Sequence, residues 1–280
     1  MSYFKIKSYA KINLALNVLD KSNSLHKIES LVSFLDLHDE INIRKISTKR
    51  HKIKFVGDFS NGIKKNNTIS QLLENIDKKN LLKNKYEIIV KKNIPLMSGM
   101  GGGSMNVAAI VSFFEKQKIL ALKKKKILEI IDSIGSDVKL GLYSKNLVLK
   151  SNNQIKVLSS KKKFYTLIVK PDFGCSTKKI YSKVNKFSKP KFNKISKNMF
   201  RINFLKQMKN DLERIVLKQY PKMRILKSFL DNLSHVKFVR MTGSGSAIIA
   251  YFSSVIKCKD AEKKVKKQFR NYWCKTSKTI

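Results

Sequence analysis

Apolar and polar residues alternate along the first part of the chain with the two-residue period of β-strands. The alternation predicts strands over residues 3–9, 12–19, 28–37, 40–46 and 52–56, the first two joined at Ala10-Lys11. The period then changes, because apolar residues at positions 69, 72, 73 and 76 mark one face of a helix. Thr68 is the predicted N-cap of that helix. The chain therefore opens with strands, and helices begin later.

The rest of the chain mixes short strands with helices. Strands are predicted over residues 86–90, 164–169, 236–241, 247–252 and 272–275, with a hairpin over 147–150 and 154–158. Helices are predicted over 106–117, 123–134, 177–184, 204–217, 223–233 and 259–269. Residues 159–163 form the best candidate linker, so we predict two domains, residues 1–160 and 161–280. This mixture of elements predicts the α+β class.

Glycine is concentrated in one stretch of the first half of the chain. Of eleven glycines, four lie at positions 99, 101, 102 and 103, directly before an apolar run that predicts a helix. A glycine run that opens a helix permits close approach and directs several backbone N–H groups at one point, which suits a phosphate. The alternative is a tight loop whose glycines only let a helix pack on a sheet.

Two familiar phosphate-binding motifs do not fit this stretch. The P-loop requires Gly-Lys-Ser/Thr, whereas Met105 and Asn106 follow Ser104 and no lysine stands at the helix start. The dinucleotide-binding fingerprint requires glycine where Ser104 stands, and residues 91–97 separate the loop from the preceding strand. A third kind of glycine loop remains.

The pattern Pro-x-x-x-Gly-x-Gly-Gly-Gly-Ser-x-Asn-x-Ala-Ala, which begins at Pro95, resembles the nucleotide loop of the GHMP small-molecule kinases. The resemblance covers most of the chain. It implies a two-domain GHMP kinase fold, with an N-terminal domain like ribosomal protein S5 domain 2 and a ferredoxin-like C-terminal domain. It also implies ATP with Mg²⁺, while the sequence itself contains no recognisable metal-ligand pattern. The residues implied to bind ATP are Pro95, Leu96, Met97, Ser98, Gly99, Met100, Gly101, Gly102, Gly103, Ser104 and Met105.

Two residues outside the loop match the family's catalytic patterns. Ala-Lys-x-Asn near the N-terminus places a catalytic lysine at Lys11, and Gly-Ala/Ser-Asp-Val places a catalytic aspartate at Asp137. Lys11 lies in a mostly apolar segment, which is an unusual place for a merely solvated charge. Asp137, taken alone, could equally cap the turn after Gly135. The resemblance implies that Asp137 accepts the proton of the acceptor hydroxyl and that Lys11 stabilises the developing alkoxide.

The resemblance extends to a branch of the family whose acceptor is a cytidine diphosphate-linked methylerythritol. That branch carries Gly-Tyr-His, and this chain keeps His26 but has Leu25 where the tyrosine stacks on cytosine. Tyr181 is expected to cover the other face of the base, and Asn13 and Thr177 are expected polar contacts. A partly buried His26 and a Tyr181 that packs in the local core remain open alternatives.

The activity implied by this branch is ATP-dependent phosphorylation of the 2-hydroxyl of that alcohol, in the non-mevalonate route to isoprenoid precursors. Homoserine kinase or mevalonate kinase is the alternative within the GHMP family. A basic RNA-binding protein is the alternative from another class of function.

The chain departs from the family pattern at several places. Met100 replaces a leucine, and Met105 replaces a second serine whose hydroxyl is available to phosphate. Lys139-Leu140-Gly141 replaces Pro-Phe-Phe after the aspartate. Residues 241–247 resemble a second glycine motif that packs near the active site, or they form only a glycine hairpin. Since backbone N–H groups do most of the phosphate binding, we expect the loop to keep its function.

The net charge of +41 comes from 60 Lys and Arg against 19 Asp and Glu. The excess is almost all lysine and is spread along the chain, whereas base recognition favours arginine with interleaved aromatic residues. We therefore expect a solvated lysine surface and no nucleic-acid partner. The three cysteines form no disulfide or zinc pattern, and no segment resembles a signal peptide or a membrane span. These features predict a cytoplasmic protein that acts on a small molecule, and the sequence leaves its oligomeric state open.

Overall fold

A computed structural model describes residues 2–22, 25–120, 122–158 and 163–280, without the side chains of residues 22, 25 and 124. The chain divides into two compact units that interleave along the sequence. The first unit contains Met1–Lys11, Leu37–Leu96 and Gly101–Ser144, and the second contains Ile12–Asp36, Met97–Met100 and Lys145–Ile280. The predicted linker and the predicted boundary at residues 160 and 161 fall largely on residues 159–162, outside the described residues. The division into two contiguous domains therefore stays a prediction.

The first unit is built on a sheet to which two long strands contribute. β2 (Leu25–Ile46) pairs antiparallel with β4 (Lys85–Lys91), and β4 pairs parallel with β3 (Lys52–Val56). β1 (Phe4–Ser22) pairs with β2. The predicted breaks at residues 10–11 and 38–39 are wrong, since both strands run on through them. Lys11 and Asp39 interrupt the apolar alternation there, but both are buried and ion-paired, so the strands need not end.

Four helices of the first unit are α1 (Thr68–Lys78), α2 (Gly102–Lys116), α3 (Lys124–Asp132) and α4 (Val138–Gly141). The predicted apolar face of α1 is buried against β2, β4 and α2, in a core that includes Ile69, Leu72, Ile43, Ile88, Ile110 and Phe114. The N-cap of α1 is Asn67, not the predicted Thr68. The Asn67 side chain accepts hydrogen bonds from the N–H groups of Ile69 and Ser70, and the Ser70 hydroxyl accepts one from the Asn67 N–H.

The second unit contains a four-stranded antiparallel sheet in the order β10 (Trp273–Lys278), β7 (Tyr165–Lys170), β9 (Ile248–Phe252), β8 (Phe238–Met241). Three helices pack on it: α7 (Asp211–Gln219), α8 (Pro221–Asp231) and α9 (Val255–Gln268). The predicted hairpin is present as β5 (Leu147–Leu149) and β6 (Ile155–Val157), and β5 also pairs with residues 30–32 of β2. Shorter elements are α5 (Thr177–Tyr181), a 3₁₀ turn (Lys197–Phe200) and α6 (Ile202–Gln207).

The helix predicted over residues 204–217 is two helices, α6 and α7, and Asn210 lies between them. Its side chain accepts the N–H of Leu212 as the cap of α7 and donates to the carbonyls of Met241 and Gly243. That tertiary role overrides the helical period of the surrounding sequence. α9 also starts four residues before its predicted start. The α+β class predicted from the sequence is confirmed.

Among the described residues, no helix combines the length and the apolar character needed to cross a bilayer.

Candidate active site

Helix α2 begins inside the glycine loop, four residues before its predicted start. Gly101 is its N-cap, with φ of 68° in the left-handed region and no side-chain capping bond. The first intrahelical bond runs from the Met105 N–H to the Gly101 carbonyl at 2.8 Å. Within the described part of the chain, the N–H groups of Gly102, Gly103 and Ser104 donate to no protein acceptor. Unpaired N–H groups at the positive end of a helix attract an anion such as phosphate.

The glycines of the loop bring lysine side chains against this helix start. A Cβ atom on Gly101 would lie 2.9 Å from Cγ and 3.0 Å from Cε of Lys11. A Cβ on Gly102 would lie 3.2 Å from Nζ of Lys92. The glycines therefore do more than let a helix pack on a sheet, because they allow two cationic side chains to approach the free N–H groups.

The structure brings the two predicted catalytic side chains together. Lys11 Nζ lies 2.9 Å from Asp137 Oδ2, with 4% of the Lys11 side chain and 33% of the Asp137 side chain exposed. Asp137 is the residue that precedes α4, yet its carboxylate makes no capping hydrogen bond. The Asp137 side chain therefore does not cap α4, which was the alternative role for this residue. The carboxylate is instead held by the buried ammonium and remains partly open to solvent.

The turn that carries Asp137 also lies close to the start of α2. The hydroxyl of Ser104 is 3.6 Å from the position that a Cβ on Gly135 would occupy. Because α2 starts at Gly102, Ser104 lies in its first turn rather than at its N-cap. The free N–H groups, the Ser104 hydroxyl and the pair of Lys11 and Asp137 thus form one cluster in the first unit.

A second buried ion pair in the first unit joins Lys92 and Asp39, and it was not predicted from the sequence. Only 2% of the Lys92 side chain and none of the Asp39 side chain is exposed. Asp39 also accepts hydrogen bonds from the N–H groups of Asn93 and Ile94, at 2.8 and 2.9 Å. The pair fixes the chain just before the glycine loop. Asp39 is a charged residue inside the apolar strand β2, whereas Lys92 directly follows β4 and is one lysine among many, so the sequence carries a signal only for Asp39.

The second unit holds the other part of the glycine loop, residues 97–100, against the turn at residues 242–246. The Ala247 N–H donates to the Ser98 carbonyl at 3.2 Å. The Thr242 hydroxyl accepts the Asn13 N–H at 3.0 Å and donates to the Gly99 carbonyl at 3.3 Å. The predicted second glycine motif is therefore more than a hairpin, because it packs on the loop and on the strand that carries Asn13.

His26 and Tyr181, the predicted cytosine-binding rings, contact each other in the second unit. Their ring centroids are 5.0 Å apart and their planes meet at 45°. Nε2 of His26 is buried without a hydrogen-bond partner among the described residues. Burial, and then the charge of Lys21, lowers the pKa of His26 below its ordinary value, so the ring favours the neutral form. A buried ring nitrogen without a partner suits a polar group of a ligand. The side chain of Leu25 lies outside the described part of the structure.

The other two predicted substrate residues already have partners. Nδ2 of Asn13 donates to the Ser30 hydroxyl at 2.8 Å. The Thr177 hydroxyl lies 2.9 Å from the Ser244 hydroxyl, which places Thr177 beside the second glycine turn. Each side chain retains polar capacity, since an amide oxygen and a hydroxyl accept more than one bond.

Met105 and Gly141, which both depart from the family pattern, pack against each other, and the larger side chain at one position is matched by the smaller residue at the other. Met105, in place of a serine, is buried. A Cβ on Gly141, which stands in place of a phenylalanine, would lie 3.0 Å from Sδ of Met105 and 2.6 Å from Cβ of Ala108. The large residue at 105 therefore accompanies a small one at 141. Met100 is fully buried, so neither methionine presents its side chain at the surface of the loop.

Known proteins resemble the chain over its whole length. Residues 67–144 match the family model for the GHMP kinases N terminal domain. The chain is 53% identical over 281 residues, covering 100% of both chains, to the 4-diphosphocytidyl-2-C-methyl-D-erythritol kinase of Pelagibacter ubique. It is 32% identical over 289 residues to the enzyme of that name from Thermodesulfovibrio yellowstonii, covering 98% of this chain and 97% of the relative.

Solved structures show the same fold. A crystal structure of 4-(cytidine 5'-diphospho)-2C-methyl-D-erythritol kinase matches with a TM-score of 0.76 and 17% identity, covering 98% of this chain and 99% of that chain. The homoserine kinase of Cytophaga hutchinsonii matches with a TM-score of 0.74 and 16% identity, covering 100% and 95%. These structural similarities confirm the GHMP kinase fold. The sequence identities of 53% and 32% identify the branch of the family to which the chain belongs. The chain belongs to the 4-diphosphocytidyl-2-C-methyl-D-erythritol kinase family of GHMP kinases.

Proposed function

We propose that the chain is an ATP-dependent kinase that phosphorylates the 2-hydroxyl of 4-diphosphocytidyl-2-C-methyl-D-erythritol, in the non-mevalonate pathway to isoprenoid precursors. The observation that carries the proposal is the ion pair of Lys11 and Asp137 beside the free N–H groups of α2. The full-length identity of 53% to a kinase of that name supports the choice of acceptor.

The glycine loop is proposed to bind ATP. The unpaired N–H groups of residues 102–104 hold the phosphates, and the ammonium of Lys11 adds positive charge beside them. Leu96 and Met97 are exposed apolar side chains, at 36% and 58%, and they offer contact area to the base of a nucleotide. These features support the assignment of residues 95–105 to the ATP site.

Asp137 is proposed to act as the general base. Its carboxylate accepts the hydroxyl proton as the hydroxyl oxygen bonds to the γ-phosphorus of ATP. The bond between that phosphorus and the β,γ-bridging oxygen breaks, and ADP leaves with the electron pair. Lys11, 2.9 Å from the carboxylate, orients Asp137 and stabilises negative charge on the attacking oxygen.

Mg²⁺ is proposed to accompany ATP and to offset the charge of the polyphosphate. Over the described residues, no group of three or more His, Cys, Asp or Glu is arranged to hold a metal ion. The oxygen we assign to the ion is the Ser104 hydroxyl in the first turn of α2, since magnesium prefers oxygen ligands.

The cytidine end of the acceptor is proposed to bind in the second unit. The unpaired Nε2 of His26 bonds a polar atom of cytosine, and the ring of Tyr181 contacts its face. Asn13 and Thr177 supply further polar contacts. The structure shows the rings of His26 and Tyr181 in direct contact, so binding between them would require one ring to turn away.

Two further proposals concern the cellular compartment of the enzyme and its partners. We assign it to the cytoplasm, where ATP is available and where the three free thiols, Cys175, Cys258 and Cys274, stay reduced. We assign the dispersed lysines to the solvated surface rather than to a nucleic-acid partner.

The decisive experiment offers ATP together with each of three alcohols: the cytidine diphosphate substrate, homoserine and mevalonate. Product mass identifies which alcohol gains a phosphoryl group, and phosphorus NMR identifies the oxygen that carries it. The proposal predicts one phosphate on the 2-hydroxyl of the cytidine diphosphate substrate. Preferential phosphorylation of homoserine or mevalonate, or RNA binding with a steep salt dependence and no ATP turnover, would refute it.

A further inference from the structure

The first unit contains a cavity of about 560 Å³ that the proposed reaction does not use. We call it the β1–α2 cavity. Its walls are residues 4–9 of β1, one face of α2, Gly141 at the end of α4, and Ser144 three residues farther along the chain. None of the ATP-phosphate or cytidine residues assigned above lines it except Met105, whose buried side chain forms part of the floor. Its volume lies within the range of small-molecule sites in proteins.

The lining of the cavity combines apolar and cationic groups. Phe4, Phe113 and Ala109 contribute apolar surface, and the rings of Phe4 and Phe113 pack with centroids 5.3 Å apart. Phe4 is 51% exposed, which is unusual for so large an apolar side chain. Lys5, Lys7 and Lys116 are exposed residues of the lining, and no Asp or Glu is among the described residues that line the cavity. Such a lining suits a compact apolar body with an anionic group.

One buried polar atom in the wall has no partner. The Ser8 side chain is 1% exposed, and its Oγ makes no hydrogen bond with any described residue. Buried hydroxyls are normally hydrogen-bonded, and a buried hydroxyl without a partner is destabilising. Ser8 lines the cavity, but its Oγ is covered, so a ligand oxygen would reach it only after the neighbouring side chains shift.

The cavity touches both elements that carry the proposed catalytic pair. Tyr9 in its wall precedes Lys11 by two residues on β1, and Gly141 in its wall follows Asp137 by four residues through α4. Gly141 packs so closely on α2 that it has no room for a methyl group. The effect on rate depends on this connection, since a ligand that displaced α4 would also displace the Asp137 carboxylate.

We propose that the β1–α2 cavity is a regulatory site for a small organic anion with a compact apolar body, and that the bound anion lowers the rate of phosphoryl transfer. The ligand places its apolar body against Phe4, Ala109 and Phe113. Its anionic group lies toward Lys7 and Lys116. The cavity carries this proposal independently of the acceptor alcohol, and only the effect on rate rests on the proposed function.

Binding is tested on the full-length protein with the fluorescent probe 1-anilinonaphthalene-8-sulfonate, in the presence of a saturating non-hydrolysable ATP analogue. The expected result is one bound probe that the analogue does not displace and that 1-naphthyl phosphate does displace. Neither uncharged 1-naphthol nor inorganic phosphate alone should compete comparably, because the site needs both an apolar body and a charge. Absence of binding, or complete displacement by the ATP analogue, would overturn the site.

Matched variants locate the probe. Ala109→Phe fills the cavity from α2 and should weaken probe binding at least about tenfold. The double variant Lys7→Gln, Lys116→Gln keeps the cavity and should weaken binding by about two- to fivefold per lysine removed. Lys118→Gln, which changes a lysine outside the lining, is the control and should bind as the native protein does. Equal affinity in the native protein and the double variant would overturn the proposal even where Ala109→Phe fails to fold.

The effect on rate is measured with the same variants. In the native enzyme, saturating 1-naphthyl phosphate should lower kcat with little change in the KM for ATP. The double lysine variant should keep its basal kcat and should need about 4- to 25-fold more ligand for half-maximal inhibition, in line with its weaker binding. Inhibition that disappears at high ATP would identify competition at the nucleotide site and contradict the proposal. If no alcohol is phosphorylated even without ligand, the proposed function fails, whereas the probe measurement still decides whether the site exists.

Discussion

Replacement of Gly101 by alanine is the sharpest test of the link between the glycine loop and Lys11, the proposed catalytic lysine. Gly101 has φ of 68°, so any L-residue there pays for a left-handed backbone, about 1–2 kcal/mol. The new Cβ would also lie 2.9 Å from Cγ and 3.0 Å from Cε of Lys11. Carbon atoms in ordinary contact are about 3.5–4.0 Å apart, so the lysine chain must retreat by roughly 0.5–1 Å.

This retreat changes the ion pair. Lys11 Nζ and Asp137 Oδ2 are now 2.9 Å apart, and a shift of that size takes them beyond good hydrogen-bonding distance. Misplacement of a reacting group by about 1 Å can cost about 100-fold in rate. We therefore predict that Gly101→Ala loses about 1–2 kcal/mol of unfolding free energy and about 100-fold in kcat.

Gly62 provides the matched control in the same unit. Its φ is 82°, and a Cβ on it would meet nothing within 4 Å. Gly62→Ala should therefore show a similar loss of unfolding free energy in a urea titration, with kcat unchanged. Steady-state turnover of both variants separates the two effects. Equal turnover in Gly101→Ala and Gly62→Ala would refute the argument that the loop glycine makes room for Lys11.

The remaining predictions concern residues that support the site. Because burial holds the pKa of His26 below 6.5, the KM for the cytidine substrate should stay constant as the pH falls from about 8 to about 6.5 and rise only below that. His26→Gln should remove this acid limb, and an unchanged pH profile in that variant would exclude the ring from substrate binding. Thr242→Val leaves the buried N–H of Asn13 without its acceptor and should cost about 1–3 kcal/mol in urea unfolding, whereas Thr242→Ser should cost much less. Lys92→Met leaves the Asp39 carboxylate buried and unpaired, so it should lose about 3–5 kcal/mol, and adding Asp39→Asn should restore part of that loss. Additive losses in that double variant would show that the two side chains do not act as a pair.

Local periodicity predicted much of the fold. The alternation of strands β3 and β4 and the apolar face of α1 appear in the structure as expected, because their buried side follows directly from the sequence period. The continuity of β1 and β2 was not predictable in this way. Lys11 and Asp39 interrupt the apolar pattern, and the groups that satisfy them, Asp137 and Lys92, lie far away in sequence. The long strands depend on tertiary ion pairs.

The start of α2 was predicted too late because glycines occupy its first turn. Residues with poor helix propensity occupy its first turn, so propensity placed the start at residue 106, whereas the helix begins at Gly102. The displaced start matters for the proposed function, because it moves Ser104 into the first turn and leaves the N–H groups of residues 102–104 without an acceptor among the described residues. The break between α6 and α7 was also not predictable from local sequence. It depends on hydrogen bonds from Asn210 to the carbonyls of Met241 and Gly243, which are distant in sequence.

The candidate site was predicted in part. Motifs selected Lys11 and Asp137, and the structure places them in contact, while their catalytic roles stay predictions. The same holds for His26 and Tyr181, whose rings meet. The ion pair of Lys92 was not found, since one lysine among so many carries no signal until its burial is known.

The most direct test of the central claim is the single-turnover rate of phosphoryl transfer from ATP to the cytidine diphosphate substrate in Asp137→Asn. Asparagine keeps the size of the side chain and removes the carboxylate that we propose as the proton acceptor. We predict a rate at least about 100-fold below that of the native enzyme, with ATP affinity nearly unchanged and with some loss of unfolding free energy, because Lys11 is buried and loses its counter-charge. A near-native transfer rate would contradict the assignment of Asp137 as the base.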